Sequence, residues 1–128
     1  MARVLALVPD LLFGSRVQST LQGAGHEVEL IGAEAVLRER LHEGGVPSVV
    51  VVDLTAGDLD GPGLVQSLSQ SGELQGARTL GFYAHVDAEV RRRAEAAGFD
   101  RVVPRSRMAR EAAELVAALV EQAPPALR

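Results

Sequence analysis

The chain has 128 residues, a formal net charge of −4 and no cysteine, so it forms neither disulfides nor thiolate metal sites. Its length matches one compact domain, and 47% hydrophobic residues with 3% aromatics predict an aliphatic core. The acidic balance argues against a nucleic-acid partner, and no apolar run is as long as a signal peptide or a membrane span, so we expect a cytoplasmic protein that binds no membrane.

Short, apolar, mostly β-branched runs bounded by Gly, Pro or Asp predict five strands that are buried on both faces. Apolar residues at helical spacing follow each strand, and Gly25, Gly44-Gly45, Gly72, Gly98 and Pro62 mark helix ends and starts. The predicted strands are Val4–Val8, Val28–Ile31, Val49–Val52, Thr79–Phe82 and Arg101–Val103. The helical core positions are Val17, Leu21, Ala24; Ala35, Val36, Leu41; Leu64, Val65, Leu68; Val90, Ala94, Ala97; and Ala112, Leu115, Val116, Leu119, Val120.

Strict alternation of strand and helix requires right-handed crossovers and a parallel sheet with helices on both faces. We therefore expect an α/β, flavodoxin-like, doubly wound five-stranded sheet of order 2-1-3-4-5 over residues 1–122, with a flexible tail at 123–128. Ligands bind such a sheet at the carboxyl ends of its first and third strands. Asp10 follows the first strand and Asp53 follows the third, so the sequence predicts two carboxylates at this edge.

The third strand and its loop carry the most specific motif of the chain. VVVVD ends at Asp53, and seven residues separate it from Gly61, the second residue of an Asp-Gly pair. With these motifs, residues 2–121 resemble the receiver domains of two-component response regulators. Weaker matches are FYA at Phe82–Ala84, AAG at Ala96–Gly98, and the Val102-Val103-Pro104 strand end.

The resemblance implies that Asp53 is the phosphoacceptor and that Asp10, Asp53 and the backbone carbonyl of Thr55 would hold Mg²⁺. No cofactor follows from the residues themselves, and Mg²⁺ is the one that the resemblance implies. Asp10 fits equally well as the N-cap of the first helix. Asp53 could also be a strand-terminal carboxylate that caps nearby amides, and Asp58 and Asp60 fit solvated turns.

Three parts of a working receiver are altered here. The family neutralises phosphoryl charge with Mg²⁺, a lysine after the fifth strand and a Ser/Thr hydroxyl after the fourth. Pro9 and a lone Asp10 replace the acidic pair, and Tyr83 takes the hydroxyl position. The lysine position falls on Pro104 or Arg105, and the chain contains no lysine at all. Arg105 would substitute for the lysine charge without its compact geometry.

Arginines cluster between the fourth helix and the start of the fifth, with acidic residues among them. This pattern fits a surface of salt bridges. The resemblance also places it on the fourth helix, fifth strand and fifth helix, which receivers use for homodimers or partner contacts. The arginines are Arg91, Arg92, Arg93, Arg101, Arg105, Arg107 and Arg110.

Three functions fit these observations. The first is a stand-alone, degenerate receiver (pseudo-receiver) that signals in trans by binding a protein partner, with impaired or absent phosphoacceptor chemistry and no enzymatic activity. The second is a phosphorylatable single-domain response regulator that uses Asp53 with Mg²⁺. The third is a small ligand- or cofactor-binding flavodoxin-like domain, although the chain has neither a GxGxxG loop after its first strand nor a cobalamin DxHxxG motif. The first explains the altered residues best.

Overall fold

The computed structural model describes residues 2–43, 47–55, 59–84 and 88–121. Strands and helices alternate through these ranges as predicted. Their bounds are β1 Arg3–Leu7, α1 Leu11–Gly23, β2 Glu27–Ile31, α2 Glu34–Leu41, β3 Val49–Asp53, α3 Gly61–Ser71, β4 Arg78–Tyr83, α4 Ala88–Ala97, β5 Arg101–Pro104 and α5 Arg105–Glu121. The strands form one parallel sheet of order β2-β1-β3-β4-β5, which confirms the predicted fold class and topology.

The central strand β3 is buried along its whole length. Valine suits this position because a branched apolar side chain packs well on either face of a covered sheet. β1 and β4 flank β3, and Asp53 lies in register with Phe82. The amide of Leu54 also donates to the Phe82 carbonyl at 2.8 Å. The pairing of β3 with β4 therefore includes Asp53, and the strand ends at this residue, one later than predicted.

Helices cover the two faces of the sheet and give it two hydrophobic cores. α1 and α5 close one face over alternate residues of the strands, and α2, α3 and α4 close the other. In β4, Phe82 belongs to the first core and Tyr83 to the second, as the alternation of a strand requires. By the same alternation, Asp53 has the parity of Val51, which faces α1 and α5.

The core face of α2 differs from the prediction. Leu37 and Leu41 are buried, whereas Ala35 is exposed and Val36 is half-buried. A helix of eight residues presents only one short stripe to the sheet, and two leucines four residues apart fill it. Ala24 is exposed as well, because it is the C-cap that follows α1.

The predicted helix boundaries hold where the structure describes them. Pro62 lies in the first turn of α3, and Gly72 ends that helix in the left-handed conformation with a φ of 80°. Gly44-Gly45 and the predicted tail lie outside the described residues. α5 is kinked at Glu111, where φ is −128° and ψ is 22°. None of the described helices is both long enough and apolar enough to cross a membrane.

Gly61→Ala tests the close contact between the start of α3 and the residues around Asp53. A Cβ at position 61 would lie 2.5 Å from Leu54 Cδ2 and 3.1 Å from Val52 Cγ1. Because both neighbours are buried, we expect the variant to lose about 1–3 kcal/mol of unfolding free energy in urea denaturation. Gly23→Ala is the matched control, since a Cβ there meets nothing within 4 Å. Equal stability of the two variants would contradict the packing described.

Candidate functional site

Asp53 is buried at the carboxyl end of the central strand, with only 1% of its surface exposed. Its Oδ1 accepts two hydrogen bonds from Thr55, one from the backbone N–H at 2.7 Å and one from the hydroxyl at 2.5 Å. A carboxylate that bonds the amide two residues ahead forms an Asx-turn. The alternative of a strand-terminal carboxylate that caps a nearby amide is therefore what these bonds show, and the Asp-x-Thr spacing could have identified Thr55 as the donor.

Asp10 is the N-cap of α1 and also forms an ion pair. Its Oδ1 accepts from the amides of Leu12 and Phe13, each at 3.1 Å. Its Oδ2 lies 3.1 Å from Nη2 of Arg105, the first residue of α5. The Phe13 amide and then the Arg105 guanidinium lower the pKa of Asp10 below its ordinary value of 3.8. The N-cap role predicted for Asp10 is therefore confirmed, and its second oxygen joins the start of α1 to the start of α5 through Arg105.

Two aromatic rings extend this contact toward the central strand. The Arg105 guanidinium carbon lies 4.2 Å from the centre of the Phe13 ring, within the range of a cation–π interaction. The Phe13 and Phe82 ring centres are 5.0 Å apart, and Phe82 is in register with Asp53. Asp10, Arg105, Phe13 and Phe82, which we call the edge cluster, therefore form a continuous path from the start of α1 to the strand beside Asp53.

The remaining candidates at this edge lie on β4 and β5. Tyr83 is the last residue of β4, and its ring is buried in the core that faces α3 and α4. Pro104 is in register with Tyr83, one step beyond the level of Asp53. Of the two positions considered for the lysine, Arg105 is thus the one whose charge lies at this edge.

Asp60, predicted to be a solvated turn residue, is exposed but also has a structural role. Its Oδ1 accepts from the Gly63 amide at 3.1 Å and caps α3, and it lies 3.3 Å from Nη2 of Arg93. An aspartate just before a Gly-Pro pair is a helix-start signal that could have predicted this cap. Asp58 lies outside the described residues.

The described carboxylates fit a divalent cation poorly. Both oxygens of Asp10 already have partners, and Oδ1 of Asp53 has two. Within the described ranges, no group of three or more His, Asp or Glu side chains could hold a metal ion. Mg²⁺ binds oxygen ligands and usually relies on one or two available carboxylates. Asp10 and Asp53 therefore do not offer two carboxylates that are both available to Mg²⁺.

The arginine-rich surface is largely made of ion pairs, as its interleaved acids suggested. Arg91 lies 3.4 Å from Glu95, and Arg92 contacts Glu89 on the same helix. These exposed pairs contribute little to stability individually, but they cancel local charge. The remaining pairs of the region join Arg93 to Asp60, Arg105 to Asp10, and Arg107 and Arg110 to Glu111.

Solved structures with this fold include response-regulator receiver domains. No protein-family model and no curated protein matches the sequence. The receiver domain of the TMAO respiratory system response regulator TorR aligns with a TM-score of 0.85 at 19% identity, over 97% of this chain and 100% of that one. A putative response regulator from Chloroflexus aurantiacus aligns at 0.84 and 18%, over 94% and 98% of the two chains.

A third similar structure is the receiver domain of a sensor histidine kinase from Pseudomonas aeruginosa, which holds a magnesium ion in its active-site cleft. It aligns with a TM-score of 0.81 at 12% identity, over 94% of this chain and 98% of that one. The three likenesses establish that this chain has the receiver-domain fold. The roles predicted for Asp53, Tyr83 and Thr55 in phosphoryl chemistry or metal binding stay predictions.

The lowered pKa of Asp10 predicts a pH dependence of stability. The ionised carboxylate stabilises the fold fully above pH 3.8, and this contribution is lost as the pH falls through the lower native pKa. Carbon-13 NMR of the Asp10 carboxyl should give a midpoint below 3.8. Arg105→Gln should raise the midpoint without restoring the ordinary value, since the Phe13 amide remains. Arg107→Gln is the control, and an equal shift there would contradict a direct contact.

Thr55→Val tests the hydrogen bonds that hold Asp53. Valine keeps the shape and the backbone amide but removes the hydroxyl, so the buried Asp53 side chain loses one hydrogen bond. We expect a loss of about 1–3 kcal/mol in the free energy of unfolding, measured by urea denaturation. Thr55→Ser keeps the hydroxyl and should retain most of that stability. A valine variant as stable as the serine variant would show that the bond contributes nothing.

Proposed function

We propose that this chain is a receiver-like signalling module, a pseudo-receiver of the cytoplasm, in which phosphorylation of Asp53 is impaired or absent. It acts by contact with a protein partner and turns over no substrate, so we do not class it as an enzyme. The environment of Asp53 is the main support for the proposal. The residue is 1% exposed, and its Oδ1 accepts two hydrogen bonds from Thr55.

Phosphoryl transfer needs a nucleophile that the donor can approach in line and cations that neutralise the transferred group. A buried carboxylate with two hydrogen bonds to one oxygen meets the first requirement poorly. The lysine that receivers use for the second requirement is absent from the sequence. Arg105, one of the two residues that the resemblance places at its position, is paired with Asp10. These features support slow or absent acylphosphate formation.

The hydroxyl position supports the same proposal. Receivers place a Ser or Thr hydroxyl after the fourth strand, where it contacts the phosphoryl oxygens. Tyr83 takes this position, and its ring is packed in the core under α3 and α4. The hydroxyl of a tyrosine held in this way lies farther from the strand than a threonine hydroxyl would, so it does not replace that hydroxyl.

Exposed apolar residues support a protein partner. Leu11 and Leu12, in the first turn of α1 beside Asp10, are 73% and 83% exposed. Exposed apolar side chains that lie side by side form a patch, and such patches mark contact sites more often than scattered single residues do. A homodimer through α4, β5 and α5 is the second contact we propose, because the intrahelical pairs of Arg91 and Arg107 could re-form across a two-fold axis.

Acetyl phosphate with Mg²⁺ provides the direct test of Asp53. Intact-mass spectrometry should show transfer at least about 10²-fold slower than in a receiver domain that has the lysine, treated identically. Asp53→Asn should abolish any phosphoryl mass gained by the wild-type protein. Asp60→Asn is the matched control, because it removes a carboxylate at the same edge without touching the acceptor.

Rapid, Mg²⁺-dependent phosphorylation that disappears in Asp53→Asn would overturn the proposal. The chain would then be a phosphorylatable response regulator, with Arg105 in the lysine's role. Beryllofluoride gives an independent check, since it mimics the acylphosphate without a donor. We expect the amide spectrum of the wild-type protein to change little on its addition.

A further inference from the structure

We infer that the guanidinium of Arg105 supplies the positive charge that neutralises Asp10 at this edge of the sheet. It therefore competes directly with divalent cations for the Asp10 carboxylate. This inference concerns the same edge as the proposed function and rests on it. It goes further in naming the group that takes the place of a metal. This pairing explains why the two carboxylates fit Mg²⁺ poorly, since Arg105 already neutralises Asp10.

Arg105 is held in place from two sides. Its Nη2 donates to Asp10 Oδ2 at 3.1 Å, while its guanidinium carbon lies 4.2 Å from the Phe13 ring centre. A planar guanidinium can bond a carboxylate at its edge while its face lies over a ring, whereas a lysine ammonium is a compact point charge without such a face. The ring contact thus helps to hold the guanidinium beside Asp10.

The positions of the two helices also favour this pairing. Asp10 caps the start of α1, and Arg105 is the first residue of α5. Helix starts carry partial positive charge, which favours Asp10 but disfavours a cation at Arg105. The Asp10 carboxylate offsets that unfavourable placement. A Mg²⁺ ion near Asp10 would face the positive end of α1 as well as the guanidinium already present.

Arg105 differs from the other arginines of α5 in the location of its ion-pair partner. Arg107 and Arg110 lie within ion-pair distance of Glu111 on their own helix. Arg105 reaches a residue 95 positions away in the chain. Removing Arg105 or Arg107 takes the same charge from the same helix, so the two variants separate direct competition from a general change of electrostatic potential.

Mg²⁺ titration of wild type, Arg105→Ala and Arg107→Ala tests the inference, with binding followed by calorimetry and by the amide signals of Asp10 and Thr55. Arg105→Ala should bind Mg²⁺ about two- to fivefold more tightly than wild type, because an exposed ion pair, which contributes only modestly, no longer has to be broken. Arg107→Ala should bind as wild type does. Equal affinity of Arg105→Ala and wild type, including no binding by either, overturns the inference.

Thermal unfolding gives a second measurement on the same proteins. Mg²⁺ should raise the Tm of Arg105→Ala and leave the Tm of wild type and Arg107→Ala unchanged, since only a bound ligand stabilises the fold. If Arg105→Ala fails to fold, Arg105→Gln replaces it, because glutamine removes the charge but retains part of the side-chain stem. A Tm increase of equal size in all three proteins overturns the inference.

The outcome is independent of the phosphorylation test. Tighter Mg²⁺ binding by Arg105→Ala together with rapid phosphorylation of the wild-type protein would refute the proposed function and keep the inference. Slow phosphorylation together with unchanged Mg²⁺ affinity would do the reverse.

Discussion

Burial of both faces of a parallel sheet is the constraint on which the site depends. β3 is covered from end to end, so every strand–helix unit must cross over a face and return in the same direction. All carboxyl ends consequently lie at one edge. Asp10, Asp53 and Arg105 therefore lie at the same edge, and Asp10 pairs there with Arg105 although the two are 95 positions apart in the chain. The positions of these charged side chains therefore follow from the way the sheet is packed.

The sequence predicted the strands and their order because each strand is an apolar run between strong breakers, and strict alternation leaves few topologies. It also placed Asp10 and Asp53 at the correct edge, since that placement needs only strand direction. It was less accurate for short helices. Ala35 and Ala24 fit a helical period, but alanine fits a core or a surface equally well, and only the packing of α2 and the end of α1 decided their exposure.

Side-chain partners were the part that the sequence could not supply. The alternatives for Asp10 were a helix cap or a metal ligand, whereas one oxygen caps α1 and the other pairs with Arg105. A carboxylate has two acceptors, and which donor reaches the second depends on where α5 begins in space. The choice between Pro104 and Arg105 was open for the same reason. The contact with Phe13 requires the rotamers of both side chains, which no pattern of residues encodes.

The pair between the starts of α1 and α5 has a consequence for the balance of charge at this edge. The Arg105 guanidinium neutralises one carboxylate, that of Asp10, and the uncharged Pro9 beside it adds no second negative charge. A chain with a neutral residue at 105 would leave the Asp10 charge for an ion to compensate.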